Sequence, residues 1–199
     1  MLGLLDQARE HRDQAVASAR THSHTLAFAL GHAFFVDWCV NAEPELLTVV
    51  DELKSLADER GFVVWSAQAA MLKGRCLAAL GRPEEGLPFI GQGLAFWRAM
   101  GAMMDRPLYL TIAAEVHAKA RRFDEGLNQV REAIRVIEGT RARMVEAEAY
   151  RLQGEMLAAV GSQPEAEVCI QRALAVAREQ STRIWELRAG ATLARLRRD

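Results

Sequence analysis

His22 and His24 stand one residue apart, and imidazole is the commonest metal-binding side chain. They fall in the polar break Thr21-His-Ser-His24, with no thiol or carboxylate at ligand spacing, so they read as a solvent-facing turn. His32 and His117 sit among apolar neighbours and read as hydrogen-bonded histidines of a core or groove. Cys39, Cys76 and Cys169 lie within helical apolar patterns and read as small buried hydrophobes. Arg195-Leu-Arg-Arg198 could touch phosphate, but guanidinium groups at a helix C-terminus are favourably placed without any ligand. The chain has no Gly-x-x-x-x-Gly-Lys-Ser/Thr, no His-Glu-x-x-His, no Glu-x-x-His and no Asp-Asp-x-x-Asp. Phosphate-loop, zinc-protease, di-iron and magnesium–diphosphate chemistry therefore have no sequence support. No catalytic residue, metal ligand or cofactor is assigned.

Composition narrows the remaining classes. Half of the 199 residues are hydrophobic, enough for a sizeable core. Ala, Leu, Arg and Glu dominate and only five prolines occur, which is an all-helical composition. The formal net charge is −1, so there is no electrostatic case for a nucleic acid or an anionic membrane as partner. No apolar run approaches the ~20 residues that span a bilayer. An odd number of scattered cysteines suits a reducing cytoplasm, and the N-terminus lacks the pattern of a secretory signal.

In order, the spacing predicts helices at 5–19, 25–40, from Pro44 to Gly61, 63–80, from Pro83, 107–120, 124–138, 141–160, 164–180 and from Ser181 almost to Asp199. Pro44 and Pro83 suit first helical turns, and Gly61 and Gly81 suit helix ends. Gly91 and Gly93 should weaken their helix by roughly 1 kcal/mol each, so they are expected to be close-packing positions.

A repeat underlies these helices. Gly154…Leu157…Gly161…Ala166…Ile170…Ala173-Leu174 recurs as Gly74…Leu77…Gly81…Gly86…Ile90…Gly93-Leu94. It recurs again as Ala114…Arg121…Gly126…Val130…Ala133-Ile134, each copy 40 residues from the next. Phe34, Leu46, Val50 and Leu53 form a degenerate fourth copy. A fixed period of this size marks a solenoid, with small residues where two helices approach.

The skeleton resembles the tetratricopeptide repeat, with Arg121 departing at the turn glycine and a period longer than the family's ~34. The resemblance implies an all-α, right-handed superhelical solenoid of antiparallel helix pairs, about ten helices in one domain. Its parts would be a partial repeat 1–22, repeats at about 23–61, 62–101, 102–140 and 141–181, and a partial repeat 182–199. Leu2-Gly3…Ala8…Ala15-Val16 matches a second helix, and 182–198 a first helix, so the chain is expected to derive from a longer array. The long variety of repeat is similar to that of bacterial AAA-like or signal-transduction ATPases and adenylate-cyclase-like regulators. His24–Leu30, Glu146–Glu155 and Ser181–Leu196 carry that similarity.

The resemblance further implies a concave groove lined by the first helices. Its lining would be Phe28, Phe35, Trp38, Gln68, Met71, Arg75, Leu108, Thr111, Glu115, Lys119, Glu148, Arg151 and Glu155. Such a groove is aromatic at one end and charged at the other, which suits an extended or helical peptide. The competing expectation for Phe28, Phe35 and Trp38 is packing on the preceding helix, and for the charged set a solvated face. The expected function is a non-catalytic protein-interaction module, cytoplasmic, the sensory or regulatory part of a larger bacterial signalling or transcription-regulatory protein. The alternatives are self-association through incomplete end repeats, or an all-helical small-molecule sensor or enzyme near Phe35, Trp38 and Met71.

Overall fold

The computed structural model describes residues 5–40, 43–101 and 105–198. Among them are ten α-helices and no strand: α1 Leu5–Ala19, α2 Ser23–Val40, α3 Glu43–Arg60, α4 Val63–Ala79 and α5 Pro83–Met100. There follow α6 Arg106–Lys119, α7 Phe123–Thr140, α8 Glu146–Ala159, α9 Gln163–Glu179 and α10 Arg183–Arg198. The predicted helix at 141–160 differs at its start, where Arg143–Val145 forms one tighter 3-10 turn. The helices gather into two compact units, α1–α5 and α6–α10.

What terminates the helices is unusually regular. Among the described residues, those with left-handed φ are Gly61, Gly81, Gly101, Arg121, Arg141, Gly161 and Ser181, each twenty positions after the last. The 40-residue sequence period is thus two equal structural half-periods. A residue of this conformation just past a helix lets the next amides turn back onto the orphaned carbonyls of the last turn. Phe62, Arg82, Arg122, Ser162 and Thr182 N–H groups donate to the carbonyls of Ala57, Leu77, His117, Leu157 and Ala177 at 2.8–2.9 Å. After α7 the simpler form occurs, in which Arg141 N–H donates to the Ile137 carbonyl at 2.8 Å. Arg121, which broke the turn-glycine pattern in the sequence, adopts the same conformation as the glycines, with φ 57°.

Helix faces follow the apolar spacing. In α7, Leu127, Val130, Ala133, Ile134 and Ile137 are buried at steps of three and four. In α3, Leu46, Val50, Leu53 and Ala57 do the same. Pairing depends on small residues. A Cβ at Gly74 would sit 2.7 Å from the Gly86 carbonyl oxygen, and one at Gly86 would overlap the Gly74 carbonyl. Gly154 repeats this against Ala166 and Ile170, at 2.8 and 2.6 Å. Backbones in van der Waals contact bring the flanking aliphatic side chains together as well. Gly93 fills the same role against Met71 and Ala67, whereas Gly91 faces open space and is not a packing position.

Three substitutions separate these roles. Arg121→Gly should raise stability by about 1 kcal/mol, because glycine enters the left-handed region without the cost an L side chain bears. Gly91→Ala should also stabilise, by about 0.5–1 kcal/mol, since its Cβ meets nothing. Gly86→Ala should destabilise by roughly 3 kcal/mol through overlap with backbone. Chemical denaturation of each variant measures all three.

Candidate functional site

In the C-terminal unit the predicted site residues lie on α6 and α8. Helix α8 touches α6, α7, α9 and α10, so little of its surface reaches solvent. Glu148 and Arg151, expected on an open groove face, are instead 0% and 6% exposed. Leu108, Thr111 and Glu115 are buried too. Thr111 satisfies its hydroxyl by donating to the Pro107 carbonyl at 2.7 Å. Lys119 and Glu155 are the exposed members of this set.

Glu148 and Arg151 belong to one ladder. Arg151 Nε and Nη2 donate to the two oxygens of Glu148, both at 2.9 Å. Arg151 Nη1 donates to Glu155 Oε2 at 2.5 Å and to Thr192 Oγ1 at 3.3 Å. Arg188 Nη2 donates to Glu148 Oε1 at 2.7 Å. Thr192 in turn donates to the Arg188 carbonyl and accepts from Arg195 Nη2 at 3.2 Å. Burial alone would lower the pKa of Arg151, but the Glu148 and Glu155 carboxylates outweigh it, raise the pKa and hold the guanidinium charged. The ladder therefore locks α8 to α10 and fixes the direction of Glu155. Beside it lies an open depression of about 280 Å³, lined by Glu155, Ala158, Ala159, Ile170, Thr192 and Arg195 among others. Arg188 and Thr192 were not foreseen as site residues. Arg188 stands forty positions after Glu148, so the repeat period itself carried the signal.

A second ion cluster in this unit is structural. Arg143 is bidentate to Glu179 at 2.7 and 3.0 Å and reaches Glu146 at 2.5 Å. It clamps the end of α9 to the start of α8.

In the N-terminal unit the predicted aromatic groove also differs. Trp38 is fully buried, stacked on Phe34 with centroids 6.2 Å apart and edge-on to Phe35 at 5.7 Å. The Arg75 guanidinium lies 5.7 Å from the Trp38 ring. Gln68, Met71 and Arg75 are buried, because α4 is flanked by α2 and α3 and meets α5 through Gly74 and Gly93. Gln68 Nε2 donates to the Gly31 carbonyl at 2.6 Å. Phe35 is half-buried and Phe28 is 53% exposed.

Phe28 belongs to a ring cluster that the sequence left scattered. It stacks on His32 at 4.2 Å, and Trp65 meets the edges of His24, Phe28 and His32 at 5.9–6.2 Å. Gly31 makes room for Trp65, since a Cβ there would sit 2.6 Å from the indole. His32, expected in a core or groove, is exposed and uses Nδ1 on the Phe28 carbonyl at 2.8 Å. His24 is exposed but packs edge-on to Phe62, so it is not simply part of a solvated turn. Trp65 was missed; a lone glycine in the phenylalanine-rich α2 was the available hint. Cys76 is buried and Cys169 half-buried, with burial pushing the Cys169 thiol up. The side chain of Cys39 lies outside the described residues. Among the described residues no group of three His, Cys, Asp or Glu could hold a metal ion. No described helix is long and apolar enough to cross a membrane.

The ladder's two carboxylates should differ in worth. Glu148→Ala should cost about 3–5 kcal/mol, because it leaves Arg151 buried with its main partner gone. Glu155→Ala should cost about 1 kcal/mol or less, since that carboxylate is half in water. Equal losses in urea denaturation would show that the two carboxylates do not differ in this way.

Comparison with solved structures places this architecture. BtubC (BKLC) from P. vanneervenii superposes with a TM-score of 0.61 at 14% identity, covering 98% of this chain and 90% of that one. MamA, residues 41 to its end, from Desulfovibrio magneticus RS-1 gives 0.54 at 13% identity, covering 90% and 99%. A MamA RS-1 double mutant gives 0.52 at 13% identity, covering 90% and 98%. No family model matches the chain, and no curated protein matches it in sequence. At these identities the likeness concerns the fold: this is an all-α, tetratricopeptide-like helical repeat.

Proposed function

We propose that the chain is a non-catalytic protein-interaction module that holds a peptide against the exposed ends of its first helices. In the C-terminal unit the contacts would be Glu155 and Lys119; in the N-terminal unit, Phe28 with Trp65 and His32. The observation that carries this reading is the fixing of Glu155. A half-exposed carboxylate is held by a buried guanidinium at the rim of an open depression. Its side chain loses little further entropy when a partner binds, which is what makes a charge useful for register. The exposed Phe28–His32 stack supplies the kind of rigid aromatic surface that anchors partners. The tetratricopeptide-like fold agrees with a binding role, although a fold by itself does not assign one.

The wider setting belongs to the same proposal. The similarity to repeat regions of bacterial ATPases and adenylate-cyclase-like regulators supports a sensory or regulatory segment of a larger cytoplasmic protein. The division 1–22, 23–61, 62–101, 102–140, 141–181 and 182–199 is retained as the proposed repeat register. The positive-φ residues at Gly61, Gly101, Arg141 and Ser181 fall on or next to four of its boundaries and support it.

Neutralising the half-exposed Glu155 and reversing the exposed Lys119 test the reading without unfolding the chain. Glu155→Gln combined with Lys119→Glu should cut recovery of a bound partner from cell extract about tenfold while leaving far-UV helicity unchanged. Phe28→Asp, in a separate variant, should do the same for a partner held by the N-terminal unit. Wild-type recovery by both variants overturns the proposal.

A further inference from the structure

We infer that a half-open cavity between α1, α2 and α3 binds a zwitterionic small molecule with an apolar body, the chemistry of an α-amino acid with an aliphatic or aromatic side chain. The cavity has a volume of about 310 Å³, the size at which ligand pockets begin. Val16 of α1, Leu30 and Ala33 of α2 and Val49 of α3 give it apolar walls. Arg12, Asp13 and Arg20 of α1 and Glu52 of α3 line it as well. Its floor and both of its sides are formed by helices of this chain, so the hollow is bounded within the array. Leu30 lies about 200° around α2 from Phe28, so the cavity is separate from the ring cluster and independent of the peptide-holding reading.

The repeat register shows why this groove is hollow. Ala33 and Val49 stand sixteen residues apart, and the same pair at steps of forty reads Lys73 and Phe89, Ala113 and Gln129, then Gln153 and Cys169. Each later pair contains at least one long side chain. Lys73 Nζ lies 5.8 Å from the centre of the Phe89 ring and pairs with Asp51 at 2.9 Å, which bridges α3 and α5 across α4. Cys169 Sγ donates to Gln153 Oε1 at 3.5 Å, which joins α9 to α8. The Gln129 amide oxygen is buried. At Ala33 and Val49 both side chains are short. The counterpart of Leu30 on α8 is Tyr150, whose ring is covered by the Arg172 guanidinium at 5.8 Å. Side-chain volume missing from a repeated groove leaves space when the helices around it do not collapse.

The charges at the cavity set the ligand's polar end. Arg12 Nε and Nη2 approach a single oxygen, Asp13 Oδ1, at 2.9 and 2.8 Å. Arg20 Nη1 donates to Glu52 Oε1 at 2.8 Å. Among the described residues, Arg20 Nε and Nη2, Asp13 Oδ2 and Glu52 Oε2 have no further partner. Arg20 and Glu52 are 58% and 37% exposed, so each can turn toward a ligand without stranding a buried charge. A ligand with only a carboxylate would face Asp13 and Glu52 as well as the guanidinium groups, and one with only an ammonium would face both arginines. A zwitterion sets its carboxylate on Arg20 and its ammonium on Glu52 while its side chain enters the apolar hollow.

Isothermal titration calorimetry on the full chain tests the site, with L-leucine and L-phenylalanine as probes. Each should bind saturably. 4-Methylpentanoate and 3-methylbutylamine, which keep the body of leucine but lose one of its charges, should bind about tenfold more weakly or worse. Arg20→Gln and Glu52→Gln, at partly exposed positions, should each weaken leucine binding about tenfold with helicity unchanged. Val49→Phe and Ala33→Gln copy Phe89 and Gln153, the residues at the filled counterparts, and should abolish binding. Ala33 is buried, so the Val49 and Arg20 variants decide the matter if Ala33→Gln loses helicity. Absence of binding by both amino acids overturns the inference. So does equal binding of either single-charge analogue, or binding that Arg20→Gln and Val49→Phe leave unchanged.

Discussion

A backbone that turns left-handed every twenty residues limits how long each helix can be. From α4 to α9, the helices between one such turn and the next hold fourteen to eighteen residues, and the two helices of a pair therefore overlap in constant register. That register brings Gly74 opposite Gly86 and Gly154 opposite Ala166. Changing the step by one residue would rotate a helix by about 100° and carry the small residues off the seam. The turns and the seams are therefore one constraint: the first sets where the second can lie. Three of the turn residues are not glycine, which shows that the packing of the helices supplies more than the left-handed conformation costs.

Because the seams are so close, a first helix such as α8 is enclosed by its own partner and by neighbouring pairs. This explains the buried polar groups on α8. A charge placed there cannot remain in water, so it must find a counter-charge inside the protein. Glu148 finds two, Arg151 and Arg188, and Arg151 finds Glu148, Glu155 and the Thr192 hydroxyl. Such a ladder adds little stability compared with an apolar seam of the same size, but it accepts few alternative alignments of α8 and α10. It also aims Glu155 outward from a rigid base, which links packing to recognition.

The N-terminal unit meets the same requirement with rings in place of ions. Trp38 is covered by Phe34, Phe35 and Arg75, so the largest side chain of α2 went to the core. The exposed aromatic surface is built instead from Phe28, His32 and Trp65, on two helices brought together at Gly31. Edge-to-face and stacked contacts orient these rings before any partner arrives.

Helix positions, the 40-residue repeat, the turn glycines and most small residues of the seams were legible in the sequence, whereas Gly91, expected on a seam, faces open space. Each is a local pattern, governed by backbone conformation and by side-chain size at a fixed spacing. The departure at Arg121 is one of residue type and not of conformation, since a left-handed turn can be enforced by the helices on either side of it. Which polar residues face water was not legible. Glu148 and Glu155 are both glutamates on one helix two turns apart, yet one is sealed between helices and the other half-exposed. That difference depends on neighbours from α10 that lie some forty residues away, and only the tertiary structure brings Arg188 and Thr192 to them. The sequence determined the repeat because its rules are short-range; the exposed surface was decided by the stacking of repeats, which is a long-range property.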